Sequence, residues 1–187
     1  MHRTRPRSLF SLVVALLLFV QPLEATTVLR LNLEQMVSRA GNIFRATVLD
    51  VRGGTIDVGG GKLPTTTYTL RVDESFKGAF DKTGATVEIT MAGSIKREPV
   101  TIGNHQRFSV LPDIPRLDIG SDYLLMTTAP SPAGLSTTVG LGQGAFSIVV
   151  SNRQELALNA AGNANIGHAG AVAYAELAAD IRALLGQ

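Results

Sequence analysis

The chain has 187 residues, of which 45% are hydrophobic and 17% are charged, and none is cysteine. A chain without cysteine has no disulfides, thiol catalysis or cysteine metal sites, so its fold must rest on packing and backbone pairing. Residues 1–25 carry three of the 17 Lys and Arg and one of the 15 Asp and Glu, so the remainder has 14 of each and no net charge. We therefore expect no nucleic acid partner and no anionic membrane partner.

The first 25 residues have the layout of a secretory signal peptide. Three arginines precede an apolar run over residues 9–20, which Pro22 breaks. Because a membrane span needs about 20 apolar residues, this run is short for an uncleaved anchor, which is the alternative. We expect cleavage after Ala25, no membrane span after signal removal, and an exported protein of the periplasm or the medium.

Apolar periodicity predicts a short helix followed by a series of strands. Residues 31–40 repeat apolar side chains at spacings of three and four, with Asn32 as the cap and Gly41 as the stop signal. Alternation with period two is typical of strands. The predicted strands are residues 43–51, 65–76, 86–91, 122–128, 135–141 and 145–151.

Two predicted loops separate these strands. Residues 53–64 contain five glycines and a proline, which favours a mobile hairpin loop. Residues 93–120 are irregular and contain a basic patch that suits an anion or an acidic partner, although a solvated loop with ordinary charges is the alternative. The patch consists of Lys96, Arg97, His105 and Arg107.

The C-terminal part is predicted as a polar linker over residues 152–170 and an amphipathic helix over residues 171–185. Short strands with a helix at each end predict a mainly β fold, a small antiparallel barrel or sandwich. We assign residues 1–25 to the signal, 26–151 to the β domain, and 152–187 to the linker and helix packed on that domain.

The stretch TVGLGQGAF contains the dinucleotide pattern G-x-G-x-x-[GA] at residues 140–145. A cofactor loop of this kind needs a helix after it, whose N-terminus holds the pyrophosphate. The residues that follow, FSIVV, are aromatic and β-branched and favour a strand. We therefore expect no cofactor, and interpret the glycines as a bend between two strands.

No pattern of catalytic residues is apparent. His105 and His168 each lack a second ligand at helical spacing, so we expect no metal site. Asp73 and Glu74 are adjacent on a strand and are expected to face opposite ways, while Asp118 and Asp122 suit a turn. We expect no catalytic residues and no enzyme activity.

The order of these motifs resembles the netrin-like and tissue-inhibitor-of-metalloproteinase family, and in particular a group of exported bacterial proteins with that layout. The resemblance rests on LEQMVSRA before IFRATV, then TYTLRVDESFKG, VEITM and IGSDYLLM, over about residues 31–150. It implies an antiparallel OB-like barrel of five to six strands with packed helices. The inhibitors begin with a zinc-chelating cysteine, whereas this chain would begin at Thr26, so no inhibitory residue carries over.

The function expected from the sequence is that of an exported, non-enzymatic binding or accessory module. Its partner would be an unknown protein or envelope component that meets the loops 53–64 and 93–120. The alternative is an extracytoplasmic protease inhibitor or hydrolase, and the oligomeric state stays open.

Overall fold

A computed structural model describes residues 29–94, 99–102, 105–108 and 114–187, with only the backbone of residues 99–102 and 105–108. The predicted signal peptide and its cleavage site at Ala25 lie outside the described residues. Lys96 and Arg97 of the basic patch lie outside them as well.

The described chain is mainly β, as predicted, with one short helix before the strands and a longer one at the C-terminus. In chain order the elements are α1 (Leu33–Arg39), β1 (Asn42–Val58), β2 (Gly61–Lys77), β3 (Thr86–Ala92), β4 (Pro99–Ile102), β5 (His105–Phe108), β6 (Asp122–Thr127), β7 (Ala145–Ser151), β8 (Gln154–Asn159), β9 (Val172–Ala173) and α2 (Tyr174–Leu185).

Seven of these strands form one antiparallel sheet in the order β3-β2-β1-β6-β7-β8-β9, and β4 pairs only with β5. The sheet is not closed, so it differs from the barrel of five to six strands expected from the sequence. Two isolated bridges lie beside it, one between Thr127 and Thr138 and one, parallel, between Thr90 and Leu135. Residues 135–141 thus contribute single bridges where a full strand was predicted.

Strand β6 is buried on both faces. Leu124 and Met126 belong to one apolar core and Leu125 to another, and all three are fully buried. Successive side chains of a strand point to opposite faces, so the sheet separates the two cores. The first core lies under α1 and α2, and the second lies between β1, β2, β3 and β6.

Helix α1 begins at a capping box. The Gln35 amide donates to Asn32 Oδ1 at 2.8 Å, and the Asn32 amide donates to Gln35 Oε1 at 3.1 Å. The helix ends at Arg39, and its C-cap Ala40 is already extended. Gly41 has a packing role, because a Cβ there would lie 2.4 Å from the Ala129 nitrogen.

The glycine-rich residues 53–64 form the predicted hairpin, but they do so as paired strands, so the prediction of a loop over the whole range is wrong. Strands β1 and β2 stay paired as far as Val58 and Gly61, and only Gly59 and Gly60 form the turn. Both turn glycines have positive φ, which suits a two-residue hairpin turn. Beyond its pairing with β3, this hairpin projects as a two-stranded arm that we define as residues 53–64.

The segment predicted as a polar linker contains strand β8, which pairs along β7 from Phe146 to Ser151. Asn152 and Arg153 turn the chain between these strands with positive φ at both positions. A two-residue hairpin of this type usually contains glycine, so the turn is not evident from the sequence. None of the described helices is long and apolar enough to cross a membrane.

The stretch TVGLGQGAF forms a tight turn that precedes strand β7, so the predicted strand after the motif is confirmed. Residues Leu141–Gly144 make one 3-10 turn, with positive φ at Gly140 and at Leu141. A Cβ at Gly144 would lie 2.6 Å from the Val139 carbonyl oxygen and 3.0 Å from that of Met126. Glycine is therefore required at position 144 by close backbone approach.

We predict that Gly144→Ala lowers the free energy of unfolding by about 2 kcal/mol, because the added methyl group must displace backbone atoms. Gly61→Ala is the matched control, since its Cβ would meet only the Val58 carbonyl oxygen at 3.9 Å. Urea unfolding followed by circular dichroism measures both. Equal stability of the two variants would contradict the packing role of Gly144.

Candidate functional site

The structure describes only part of the basic patch that the sequence suggested for binding. His105 and Arg107 lie on β5, opposite Ile102 and Val100 of β4. His168 lies far along the chain, after a 3-10 turn, where its amide donates to the Asn163 carbonyl oxygen at 3.1 Å. Of the predicted basic patch, the described residues therefore place only the two members on β5.

A cavity of about 240 Å³ lies at the root of the arm. Strands β1, β2 and β3 form its floor, and the two described ends of the segment 93–120 form its wall. The lining residues are Val51, Thr66, Tyr68, Met91, Ala92, Gly93, Ser94 and residues 114–118. The cavity is continuous with the second core, to which Tyr68, Met91 and Leu117 belong.

Two tyrosines fix the wall of this cavity. The Asp118 amide donates to the Tyr123 hydroxyl at 3.1 Å, which ties residues 114–118 to β6. Burial raises the pKa of Tyr68, and a hydrogen bond with the Leu117 backbone partly offsets that rise. Tyr68 therefore stays neutral at physiological pH, so the cavity combines an apolar floor with uncharged hydroxyl groups and the charged rim residues Arg116 and Asp118.

A separate polar network lies on the helix-covered face of the sheet, centred on Arg45. Its guanidinium donates to both carboxylate oxygens of Glu155, at 2.7 and 2.9 Å, and to Asp122 Oδ2 at 3.1 Å. The Arg45 side chain is only 16% exposed. A guanidinium so far removed from water needs such bidentate pairing to offset its lost hydration.

Asp73 joins this network through a break in strand register. Arg45 pairs with Glu74 and Ala46 pairs with Val72, so Asp73 has no opposite residue on β1 and forms a β-bulge in β2. The Thr47 hydroxyl lies 2.7 Å from Asp73 Oδ2 and 2.8 Å from Asp122 Oδ1. Asp73 and Glu74 were expected on opposite faces, and that expectation is wrong because the bulge turns both toward the Arg45 face.

Glu74 connects the network to helix α2. Its carboxylate accepts hydrogen bonds from the Tyr174 hydroxyl and from Arg182. The Arg45 guanidinium lies over the Tyr174 ring, 4.8 Å from its centroid, which favours a cation–π contact. Burial, together with the bond to Glu74, raises the pKa of Tyr174, so this phenol stays protonated and donates.

A second polar cluster, the amide cluster, consists of buried amide side chains. Gln143 Oε1 accepts from the Leu31 amide at 2.9 Å, and Gln143 Nε2 donates to the Leu29 carbonyl at 3.0 Å. Its side chain thus pairs with the backbone as a neighbouring strand would. Asn159 donates to the Gln143 carbonyl and to Asn165, at 3.0 Å each. Asn165 in turn donates to the Leu31 carbonyl oxygen at 2.9 Å. The amide cluster therefore connects the backbone before α1 with the segment after β8.

Sequence reasoning missed both the Arg45 network and the amide cluster. Arg45 lies at an outward position of an alternating strand, where an exposed charge is the usual expectation. Gln143 lies inside a glycine motif, and the glycines indicated a bend there without indicating any role for the glutamine. The closely spaced asparagines at 159, 163 and 165 are one sequence signal for the amide cluster. Their side chains can hydrogen-bond to nearby backbone groups, although such a run is also typical of a polar linker.

Comparison with protein-family models and with characterised proteins found no match to this chain. Among the described residues, no group of three or more His, Cys, Asp or Glu side chains is arranged to hold a metal ion.

We predict that the Arg45–Glu155 pair makes the free energy of unfolding depend on pH in acid. Its hydrogen bonds lower the pKa of Glu155, so the pair stabilises the fold above the ordinary glutamate pKa and loses this contribution as pH falls through the lowered value. Because Glu155 is partly exposed, we expect the contribution to be about 1 kcal/mol or less. Glu155→Gln should therefore lose less unfolding free energy than the wild type as the pH falls below the ordinary glutamate pKa.

Urea unfolding at a series of pH values tests this expectation. Glu176→Gln is the matched control, because Glu176 is an exposed residue of α2 and forms no ion pair with another described residue. This control should retain the wild-type pH profile. An unchanged acid profile in Glu155→Gln would show that the pair does not stabilise the fold.

Proposed function

We propose that the protein is an exported, non-enzymatic binding or accessory module whose ligand enters the cavity at the root of the arm. The observation that carries this proposal is the convergence of two distant segments on one cavity. Val51 and Thr66 flank the arm, and Gly93 and residues 114–118 come from the ends of the segment 93–120. Residues 93–120 supply part of the lining directly, and the arm, residues 53–64, lies in the chain between Val51 and Thr66.

The size and chemistry of the cavity restrict its ligand. Pockets for drug-sized molecules usually measure about 300–1,000 Å³, so a cavity of about 240 Å³ suits one side chain or a small apolar group. Its floor is apolar at Val51 and Met91, and its rim includes Arg116 and Asp118. We propose an apolar side chain of a partner protein, or a similar group of an envelope component, held by polar contacts at the rim.

For the architecture, we propose an OB-like barrel in which β1, β2, β3, β6 and residues 135–138 surround the second core. The parallel bridge from Leu135 to Thr90 and the antiparallel bridge from Thr138 to Thr127 support this arrangement, because they join residues 135–138 to β3 and to β6. The Ser136 amide also donates to the Thr90 carbonyl at 2.9 Å. Such an arrangement is consistent with the proposed netrin-like resemblance.

Export is a proposal that rests on the layout of residues 1–25. We predict that the exported protein begins at Thr26, since a small residue at position 25 suits signal peptidase. Intact mass measurement and N-terminal sequencing of periplasmic and medium fractions identify the terminus. Ala25→Arg should block cleavage, and a wild-type chain that keeps Met1 and stays in the membrane fraction would favour the uncleaved anchor.

The cavity proposal predicts that Val51→Phe weakens ligand binding by filling the space at the root of the arm. We expect an affinity loss of about tenfold or more, equivalent to about 1.4 kcal/mol, while the fold is retained. The measurement is quantitative capture of envelope components on immobilised full-length protein, with wild type and variant side by side.

Leu49→Phe is the matched control for this experiment. It places the same ring on the same strand, but Leu49 is exposed and does not line the cavity. The expected ligands are the components that both the wild type and Leu49→Phe capture. Val51→Phe should not capture them. Equal capture by all three proteins would place the binding site elsewhere.

A further inference from the structure

An open groove of about 460 Å³ lies between the two helices, on the face of the sheet opposite to the cavity. The first turn of α1, the second half of α2 and the turn after Asn165 form its walls. Leu33, Ile166 and Leu184 supply apolar surface, and Glu34 and Asp180 supply carboxylates. None of these residues lines the cavity at the root of the arm.

The apolar surface of the groove is continuous with the first core but is itself incompletely covered. Leu33 and Ile166 pack against that core as partly buried side chains. Leu184 is 44% exposed, although it continues the apolar stripe of α2. An apolar group that covers Leu184 would be removed from water together with it, which favours binding.

The two carboxylates give the groove a negative charge without a described counterion. Glu34 lies on α1 and Asp180 on α2, and both are exposed. Neither forms an ion pair or a side-chain hydrogen bond with another described residue, whereas Asp122, Glu155 and Glu74 are all paired with arginine. Arg182, the nearest basic residue in sequence to Asp180, is itself held by Glu74.

We propose that this groove binds a cationic amphipathic peptide segment of a partner protein. An apolar side chain of the peptide lies on Leu33, Ile166 and Leu184, and its lysine or arginine side chains pair with Glu34 and Asp180. Two helices with an open groove between them offer the surface that an amphipathic helix occupies. The two carboxylates select a basic peptide and repel an acidic one.

The experiment uses full-length protein and two labelled synthetic peptides of about twelve residues. One peptide has leucines on one helical face with arginines beside them, and the other has glutamates in place of the arginines. Fluorescence anisotropy should detect binding of the arginine peptide, weakened by added salt, and no binding of the glutamate peptide.

Substitutions in the groove separate the charge contribution from the apolar one. Glu34→Gln with Asp180→Asn should weaken the arginine peptide by about tenfold or more, and Leu184→Ser should weaken it as well. Glu176→Gln is the matched control on α2, since Glu176 does not line the groove. Thermal unfolding of each variant verifies that the fold is retained.

Three outcomes would overturn the proposal. These are no binding of the arginine peptide at millimolar protein, equal binding of both peptides, and unchanged binding by the Glu34→Gln and Asp180→Asn double variant. Self-association that the double variant abolishes would make a second copy of this chain the occupant and would also overturn it. Val51→Phe should bind the peptide normally, so failure here is distinguishable from failure of the cavity proposal.

Discussion

The double-sided burial of strand β6 is the constraint on which the rest of the structure depends. Leu124 and Met126 require a cover on one face, and Tyr123 and Leu125 require a cover on the other. An antiparallel sheet often leaves one face to water, so a strand of this kind needs additional layers. The two helices form the layer over the first face, and side chains of β2 and β3 together with Leu117 cover the second. Each candidate binding feature lies where one of these layers is incomplete.

The polar clusters follow from the same burial. Helix α2 covers the sheet next to Arg45, so that guanidinium loses water and needs Glu155 and Asp122 as partners. The backbone of Leu31 is likewise covered, and the Gln143 side chain replaces the missing strand neighbour. Unpaired polar groups at these depths would cost several kcal/mol in total, so these contacts make the helix layer specific as well as stable.

The sequence predicted the elements whose signals are local and left those that depend on distant partners undetermined. Alternation in residues 65–76 and the apolar spacing of residues 171–185 are local, and both elements are present. The arm was missed because glycines signal a loop, although cross-strand pairing from Gly53 to Val58 keeps the chain extended. The bulge at Asp73 depends on register with β1, and the role of Gln143 depends on Leu31, more than a hundred residues away. Neither relation has a periodic signature.

The cavity and the groove draw on different cores, and this separation has a functional consequence. Filling the cavity disturbs residues around Tyr68 and Met91, whereas covering the groove affects Leu33 and Leu184. The Arg45 network joins β1, β6 and β8 by hydrogen bonds and contacts α2 through the Tyr174 ring, and these contacts resist relative movement of the elements. Because protein interiors are densely packed, we expect two sites across such a rigid sheet to bind independently. Under the two proposals above, the protein would therefore hold one partner group in the cavity and one basic segment in the groove at the same time.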